Sequence, residues 1–210
     1  MCEDQIVATL TTLGDDGVLP SPELVDYYTR LQDREILLND LCTDALVDWA
    51  WQIMKWNRED DIAQAQISAA IRNPIRIYIN SDGGDLPATL NLIDVIRLSK
   101  TPVYTIGMSR CYSSGGLLLM SGHKRFIFPN TTFLLHDGYS GGSNSIGKLM
   151  DTLAFTRTSE DKVRDYVCGV SKITPEIYDA NYRKDWFMHS DEMIELGIAD
   201  HIVADLSELS

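Results

Sequence analysis

Two residues of this 210-residue chain have a type and a setting that suit nucleophilic catalysis. Ser113 lies between an apolar, strand-like segment and a glycine-rich helix start, a setting that resembles a nucleophile elbow. His136 ends a second apolar strand, and reactive groups in α/β folds collect at the carboxyl ends of strands. Each residue also has a plainer interpretation, a helix N-cap for the serine and a loop or core residue for the histidine.

Backbone N–H groups suited to a developing oxyanion are predicted at two places. The helix that begins at Ser114 offers free N–H groups and a positive dipole end. The Gly83-Gly84 pair follows the clearest strand in the chain, where such N–H groups can face an anion or a peptide carbonyl. Phosphate is disfavoured there, because Asp82 and Asp85 flank the pair and no Gly-Lys-Ser/Thr sequence follows. An ordinary tight turn is the alternative.

The cysteines, at positions 2, 42, 111 and 168, form no CxxC pair and no cluster with histidine. This spacing argues against a zinc site and against a disulfide framework, and no metal or cofactor is expected. Cys111, two residues before Ser113, is an alternative nucleophile for which the sequence identifies no base.

The net charge of −13 excludes the basic surface that a general nucleic-acid binder needs, and it disfavours binding to anionic lipid. Hydrophobic residues make up 44% of the chain, as is typical of a globular protein, and no apolar run approaches the ~20 residues of a membrane span. The first residues lack the pattern of a signal peptide, so a cytoplasmic protein with reduced thiols and no membrane partner is expected.

The hydrophobic pattern alternates between strands and helices. Strands are predicted at 35–38, 75–79, 103–106, 126–128, 132–135 and 199–203. Helices are predicted from Thr43 through Met54 and at 61–72, 86–96, 115–120, 145–167 and 190–199, with a solvated turn at 58–61. This alternation predicts βαβ units, a largely parallel sheet and the fold class α/β. Residues 1–25, rich in turn-forming types, are predicted to be an appendage to a domain at 26–210.

Several blocks of the chain, taken in order, resemble the proteolytic subunit of the Clp ATP-dependent protease. They are Tyr78-Ile-Asn-Ser-Asp-Gly-Gly84, Ser113-Ser-Gly-Gly116, Arg125-Phe-Ile-Phe-Pro-Asn130, Leu135-His136 and the segment from Lys184 to Asp200. The resemblance covers about residues 26–204. It implies the repeated βαβ spiral shared with the crotonase fold, with a protruding handle helix at about 145–167.

The resemblance also implies a serine endopeptidase that works through an acyl-enzyme. By position, the family's nucleophile falls on Ser113, its general base on His136 and its orienting aspartate on Asp185. The oxyanion donors fall on the Gly83-Gly84 turn and on the backbone N–H of Ser114. A bound peptide would add as a β-strand along the substrate-binding residues, which are Gly138, Tyr139, Ser140, Gly141 and Gly142.

The same resemblance implies a homo-oligomer of heptameric rings, stacked in pairs through the handle helix. Its substrates would be peptides and unfolded proteins, and an AAA+ unfoldase is a possible partner. The chain departs from the family pattern at several positions, among which Asp82 replaces proline, Ser114 replaces methionine, and Arg76 replaces a tyrosine of the pocket on which the ATPase docks. Only the backbone N–H of residue 114 has a predicted role, so its side chain is expected to be replaceable.

Two other functions fit parts of the pattern. A crotonase-like acyl-thioester enzyme shares the spiral fold and a two-donor oxyanion hole, but it would not need a serine, a histidine and an aspartate together. A catalytically silent ring subunit would support an active paralogue, and the intact set of three residues argues against it.

Overall fold

The computed structural model describes residues 21–138 and 145–209. The chain divides into two compact units, with the boundary between Ile36 and Leu37. The predicted appendage at 1–25 lies almost entirely outside the described residues and stays a prediction.

Helix α1 (Pro22–Gln32) belongs to the first unit. Ser21 caps the helix, because its hydroxyl accepts the N–H of Leu24 at 3.3 Å and Pro22 occupies the first helical position. Strand β1 (Glu35–Leu38), which the sequence predicted, crosses the boundary between the units.

The described part of the second unit contains six helices and six strands beyond β1. The strands are β2 (Ile75–Ser81), β3 (Val103–Tyr112), β4 (Lys124–Ile127), β5 (Thr132–Leu135), β6 (Trp186–His189) and β7 (His201–Ile202). The helices are α2 (Ala45–Gln66), α3 (Leu86–Leu98), α4 (Ser114–Leu119), α5 (Ile146–Val170), α6 (Pro175–Asn181) and α7 (Ser190–Glu195). A 3₁₀ turn follows at Leu206–Leu209. The fold class is α/β, as the sequence predicted.

The strands of the second unit form a sheet in the order β2-β3-β4-β7, all parallel. Strand β5 pairs in parallel with β3, and β6 pairs antiparallel with β5. Strand β2 buries alternate side chains, among them Ile75, Ile77 and Ile79, as expected for a sheet face that is covered on one side. The first half of β3 buries the consecutive residues Thr105, Ile106 and Gly107. The hydrophobic pattern of the sequence predicted neither β6 nor α6.

Strand β3 extends six residues beyond its predicted end at Ile106, because it changes partner along its length. Its first half pairs with β4 through Gly107, and its second half pairs with β5 from Arg110 onward. The second half has mixed polarity, so the hydrophobic pattern did not identify it as a strand. This extension carries the chain directly to Ser113.

The solvated turn predicted at 58–61 is wrong, because helix α2 runs through it without a break. Asp60 is buried, and its Oδ2 accepts the hydroxyl of Thr101 at 2.6 Å. The charged run therefore contains a side chain that ties α2 to the loop before β3. A run of charged residues indicates a solvated turn only when all of its side chains are exposed to solvent.

The separate helix predicted at 61–72 is also wrong. Helix α2 ends at Gln66, and the chain then returns in a non-helical segment toward β2. Arg72 fixes this segment by donating from Nε to Gln64 at 3.0 Å and from a terminal nitrogen to Thr101 at 3.2 Å. The segment is thus held by hydrogen bonds to α2 and to the loop before β3 rather than by a helical ladder.

Candidate active site

Ser113 occupies a sharp turn between β3 and α4. Its φ of 53° and ψ of −125° lie outside the regions that residues with a side chain usually adopt. Its N–H donates to the carbonyl oxygen of Leu134 on β5 at 2.8 Å, and its own carbonyl accepts the N–H of Gly116 at 3.0 Å. Hydrogen bonds on both sides therefore hold the strained conformation, as in a nucleophile elbow.

Gly83 packs directly against this turn. It has a φ of 101°, and a Cβ atom added to it would lie 2.7 Å from the Cβ of Ser113 and 2.9 Å from the carbonyl oxygen of Tyr112. Both the conformation and the available space therefore require glycine. The N–H of Gly83 donates to the Oγ of Ser81 at 3.1 Å.

Gly84 is held from the opposite side by the backbone of Cys42. The N–H of Cys42 donates to the carbonyl of Gly83 at 2.7 Å, and the carbonyl of Cys42 accepts the N–H of Asp85 at 2.8 Å. With a φ of 143°, Gly84 would place an added Cβ only 2.3 Å from the carbonyl oxygen of Cys42. The contact with Cys42 and the hydrogen bond that Gly83 donates to Ser81 were not predicted, because hydrogen bonds to backbone atoms have no signature in the sequence.

His136 and Asp185 face each other at the end of the β5–β6 pair. Leu135 lies opposite Trp186 in the antiparallel register, so the next residues outward are the histidine and the aspartate. Nδ1 of His136 lies 3.7 Å from Oδ1 of Asp185, within range of an ion pair but longer than a hydrogen bond. The imidazole is 13% exposed and the carboxylate is 65% exposed.

A cavity of about 650 Å³ opens beside Ser113. Ser113, Ser114, His136, Gly84 and Gly138 all line it, whereas Gly83 and Asp185 are absent from its walls. Of the seven predicted site residues that the structure describes, five thus lie around one space.

The walls of this cavity combine apolar and acidic side chains. Leu86, Leu117 and Val163 contribute apolar surface. Two of the wall carboxylates have partners outside the cavity: Asp82 forms an ion pair with Arg110 at 3.1 Å, and Asp85 caps α3 by accepting the N–H of Ala88 at 2.7 Å. These two carboxylates therefore stabilise the glycine turn and the helix that follows it.

Cys111 does not fit the role of alternative nucleophile. Its side chain is fully buried between strands, and this burial raises the pKa of the thiol well above its usual range. The reactive species of a cysteine is the thiolate, which burial disfavours here. The serine at 113 is therefore the better nucleophile.

The predicted substrate-binding segment is only partly described. Gly138 lines the cavity, and an added Cβ there would meet no atom within 4 Å. Tyr139, Ser140, Gly141 and Gly142 lie outside the described residues.

Within 21–138 and 145–209, no group of three or more histidine, cysteine or carboxylate side chains is arranged to hold a metal ion. Over the same ranges, no helix combines the length and the apolar character that crossing a membrane requires.

Comparison with known proteins identifies the family. A sequence model of the Clp protease family matches residues 23–205. The chain is 31% identical to the ATP-dependent Clp protease proteolytic subunit of Bdellovibrio bacteriovorus, over 85% of this chain and 82% of that protein. It is 26% identical to proteolytic subunit 2 of Treponema pallidum, over 90% and 92% of the two chains, and 29% identical to proteolytic subunit 3 of Streptomyces coelicolor, over 86% and 84%. The chain belongs to the Clp protease family, and it is a serine-type endopeptidase.

Proposed function

We propose that this chain cleaves peptides and unfolded proteins through an acyl-enzyme on Ser113, with His136 as general base and Asp185 as the residue that orients the imidazole. The observation that carries the proposal is that Ser113, in its strained turn, and His136 line the same cavity. Asp185 lies on the Nδ1 side of the histidine, which leaves Nε2 to serve the serine.

Each step of the reaction then has a residue to perform it. Nε2 of His136 takes the proton of the Ser113 hydroxyl as Oγ forms a bond to the substrate carbonyl carbon. The tetrahedral intermediate collapses, the C–N bond breaks, and the imidazolium returns the proton to the leaving amine. Water, deprotonated by the same imidazole, attacks the ester carbonyl carbon. The C–Oγ bond then breaks, the carboxylic acid product leaves, and the imidazolium returns the proton to Oγ of Ser113.

The backbone geometry favours Gly84 over Gly83 as one oxyanion donor. The described chain contains no cis peptide bond, so the N–H of Gly84 points opposite to the carbonyl of Gly83, which faces Cys42. The N–H of Gly83 is occupied by Ser81. We therefore propose that Gly84 and Ser114 supply the two N–H groups, and that Gly83 serves through its small size against Ser113.

The remaining predictions about substrates and location also stand as proposals. An extended peptide would add along 138–142 as a β-strand, with its side chains directed toward the apolar wall of the cavity. The cytoplasm is the proposed compartment, where unfolded proteins would be the natural substrates.

The proposed assembly is a homo-oligomer of heptameric rings stacked in pairs. Its support is the exposed apolar side of the first half of α5, formed by Ile146, Leu149, Met150 and Leu153. Residues three or four apart on a helix lie on one side of it, so this set forms a continuous stripe. A partner of the AAA+ unfoldase class would dock on the outer surface of such rings.

The direct test is labelling with a fluorophosphonate, which reacts only with an activated serine hydroxyl. We expect the native protein to be labelled at Ser113 and the Ser113→Ala variant to remain unlabelled and inactive toward short fluorogenic peptides. Ser121→Ala is the matched control, because it also removes one serine hydroxyl from a residue at the end of α4 that does not line the cavity. Peptide cleavage that persists in Ser113→Ala would contradict the proposal, and an unlabelled native protein would favour a catalytically silent subunit.

A further inference from the structure

We propose that the hydroxyl of Ser114 is a positioning group that fixes the Gly84 peptide in the oxyanion hole. This inference rests on the proposed function and adds a side chain to it. From the sequence, only the backbone N–H of Ser114 has a predicted role, and its side chain is expected to be replaceable.

The peptide group between Gly84 and Asp85 is held at both of its polar atoms. Its carbonyl oxygen accepts the hydroxyl of Ser114 at 3.1 Å, and its N–H donates to the carbonyl of Cys42 at 2.8 Å. The preceding peptide is held at the carbonyl of Gly83, which accepts the N–H of Cys42 at 2.7 Å. The N–H of Gly84, a proposed oxyanion donor, belongs to this preceding peptide, so hydrogen bonds hold both its own peptide group and the one that follows.

Ser114 supplies the hydrogen bond that reaches the glycine turn from the helix directly after the nucleophile. The bonds of Cys42 reach Gly83 and Asp85, and neither of them involves residue 113 or 114. The hydroxyl of Ser114 links the glycine turn directly to the residue that carries the other proposed donor. One side chain thus connects the two residues whose N–H groups must point at the same oxygen atom.

The local chemistry explains why such a connection matters here. Gly84 has no side chain, and glycine adopts many backbone conformations at little cost, so its N–H direction depends on external bonds. Ser114 is only 4% exposed, so water does not readily replace its hydroxyl as the donor to Gly84. Preorganised donors stabilise an oxyanion because they need no reorientation when the charge develops.

The expected effect is on the step that forms the oxyanion rather than on substrate binding. In Ser114→Ala, we expect kcat to fall about tenfold while KM stays within about twofold, because only an interaction of the transition state is weakened. A peptide aldehyde, which forms a tetrahedral adduct with the Ser113 hydroxyl, should bind more weakly by about the same factor as kcat falls.

The matched control is Ser121→Ala, measured on the same assembled protein. Ser121 is also buried, and its hydroxyl also donates to a backbone carbonyl, that of Leu118 at 2.7 Å, but it lies away from the cavity. We expect both variants to lower the melting temperature and only Ser114→Ala to lower kcat and the affinity for the aldehyde. A normal kcat and a normal aldehyde affinity in Ser114→Ala would overturn the proposal, and so would an effect confined to KM.

Ser114→Cys gives a second measurement and replaces Ser114→Ala if that variant does not assemble. It nearly keeps the volume of the side chain and replaces a strong donor by a weak one. We expect a kcat below that of the native protein, and a native value would contradict the proposal. If instead the native protein is not labelled at Ser113, the proposed function fails and not the positioning role alone.

Discussion

On one side of the cavity, the Ser113 turn and the glycine pair are held by backbone hydrogen bonds to β5 and to Cys42, and there is no room for a further atom beside either glycine. Asp185, by contrast, lies outside the cavity wall and is 65% exposed, and its carboxylate lies 3.7 Å from Nδ1 of His136, beyond hydrogen-bond distance. The nucleophile and the proposed oxyanion donors therefore have little freedom to move, because backbone hydrogen bonds hold them in place. The aspartate is the least constrained member of the proposed triad, and this contrast predicts unequal responses to substitution.

The largest effect is expected on the rigid side, from Gly84→Ala. The added methyl group would overlap the carbonyl oxygen of Cys42, which lies 2.3 Å from the Cβ position, and the φ of 143° disfavours any side chain. We expect kcat/KM for a short fluorogenic peptide to fall about 10³-fold, as when an oxyanion donor is lost. Gly169→Ala is the control, because its added methyl group meets no atom within 4 Å. Near-native activity in Gly84→Ala would show that the glycine turn adapts after all.

A smaller effect is expected on the exposed side, from Asp185→Asn. In a buried triad the same change costs about 10⁴-fold in kcat, since the amide favours the wrong histidine tautomer. Because this carboxylate is exposed and more distant, we expect a loss of about 10²-fold. Steady-state kinetics with Asp191→Asn as the control, an exposed carboxylate on α7, provides the measurement. A loss as large as in a buried triad would mean that the aspartate becomes ordered in the working enzyme.

The next prediction concerns the exposed apolar stripe of α5. Met150→Lys places a charge in the middle of the stripe, and a charge must lose its hydration shell when it enters an apolar interface. We expect a smaller particle by light scattering and reduced peptidase activity at low protein concentration. Thr152→Lys is the control, since it adds the same charge to an exposed position outside the stripe. An unchanged particle in Met150→Lys would place the contacts between subunits elsewhere.

The smallest effect on basal chemistry is expected from Arg76→Tyr. Arg76 lies beside Tyr104 on neighbouring strands, and its Nε is buried without a hydrogen-bond partner among the described residues. A charge at this position disfavours an apolar side chain of a docking ATPase loop. We expect weak stimulation of the native protein by a standard Clp unfoldase and ATP, stronger stimulation of Arg76→Tyr, and similar cleavage of short peptides by both.

Degradation of a tagged, folded reporter measures this stimulation. Arg58→Tyr, which replaces an exposed arginine on α2, is the control. Efficient degradation of the reporter by the native protein would show that Arg76 leaves the docking surface open.

The sequence could predict His136 because it directly follows a short apolar strand that the hydrophobic pattern shows, and Ser113 because a glycine-rich helix start follows it. Asp185 was predicted as a site residue only from the family resemblance. It lies opposite His136 because β6 pairs antiparallel with β5, and no local pattern shows a pairing across about fifty residues. The roles of Cys42 and Ser81 in holding the glycine pair were missed, since both depend on hydrogen bonds to backbone atoms.

The error in α2 has a related cause. A run of charged residues predicts solvent on all sides, but the structure buries Asp60 against Thr101, forty-one positions away. Local composition cannot show that one member of such a run has a distant partner.

The hydrogen bonds between the backbone of Cys42 and the Gly83-Gly84 turn have a consequence for the synthesis of the protein. The proposed site needs the backbone of residue 42, the glycines at 83 and 84, the turn at 113 and the strand that follows Asp185. A ribosome makes the chain from the amino terminus, so β6 emerges long after the segments around residues 42, 84 and 113. A chain whose synthesis has not reached β6 would therefore lack a complete site. On the proposed function, a nascent molecule would have no peptidase activity until this last segment is made and paired with β5.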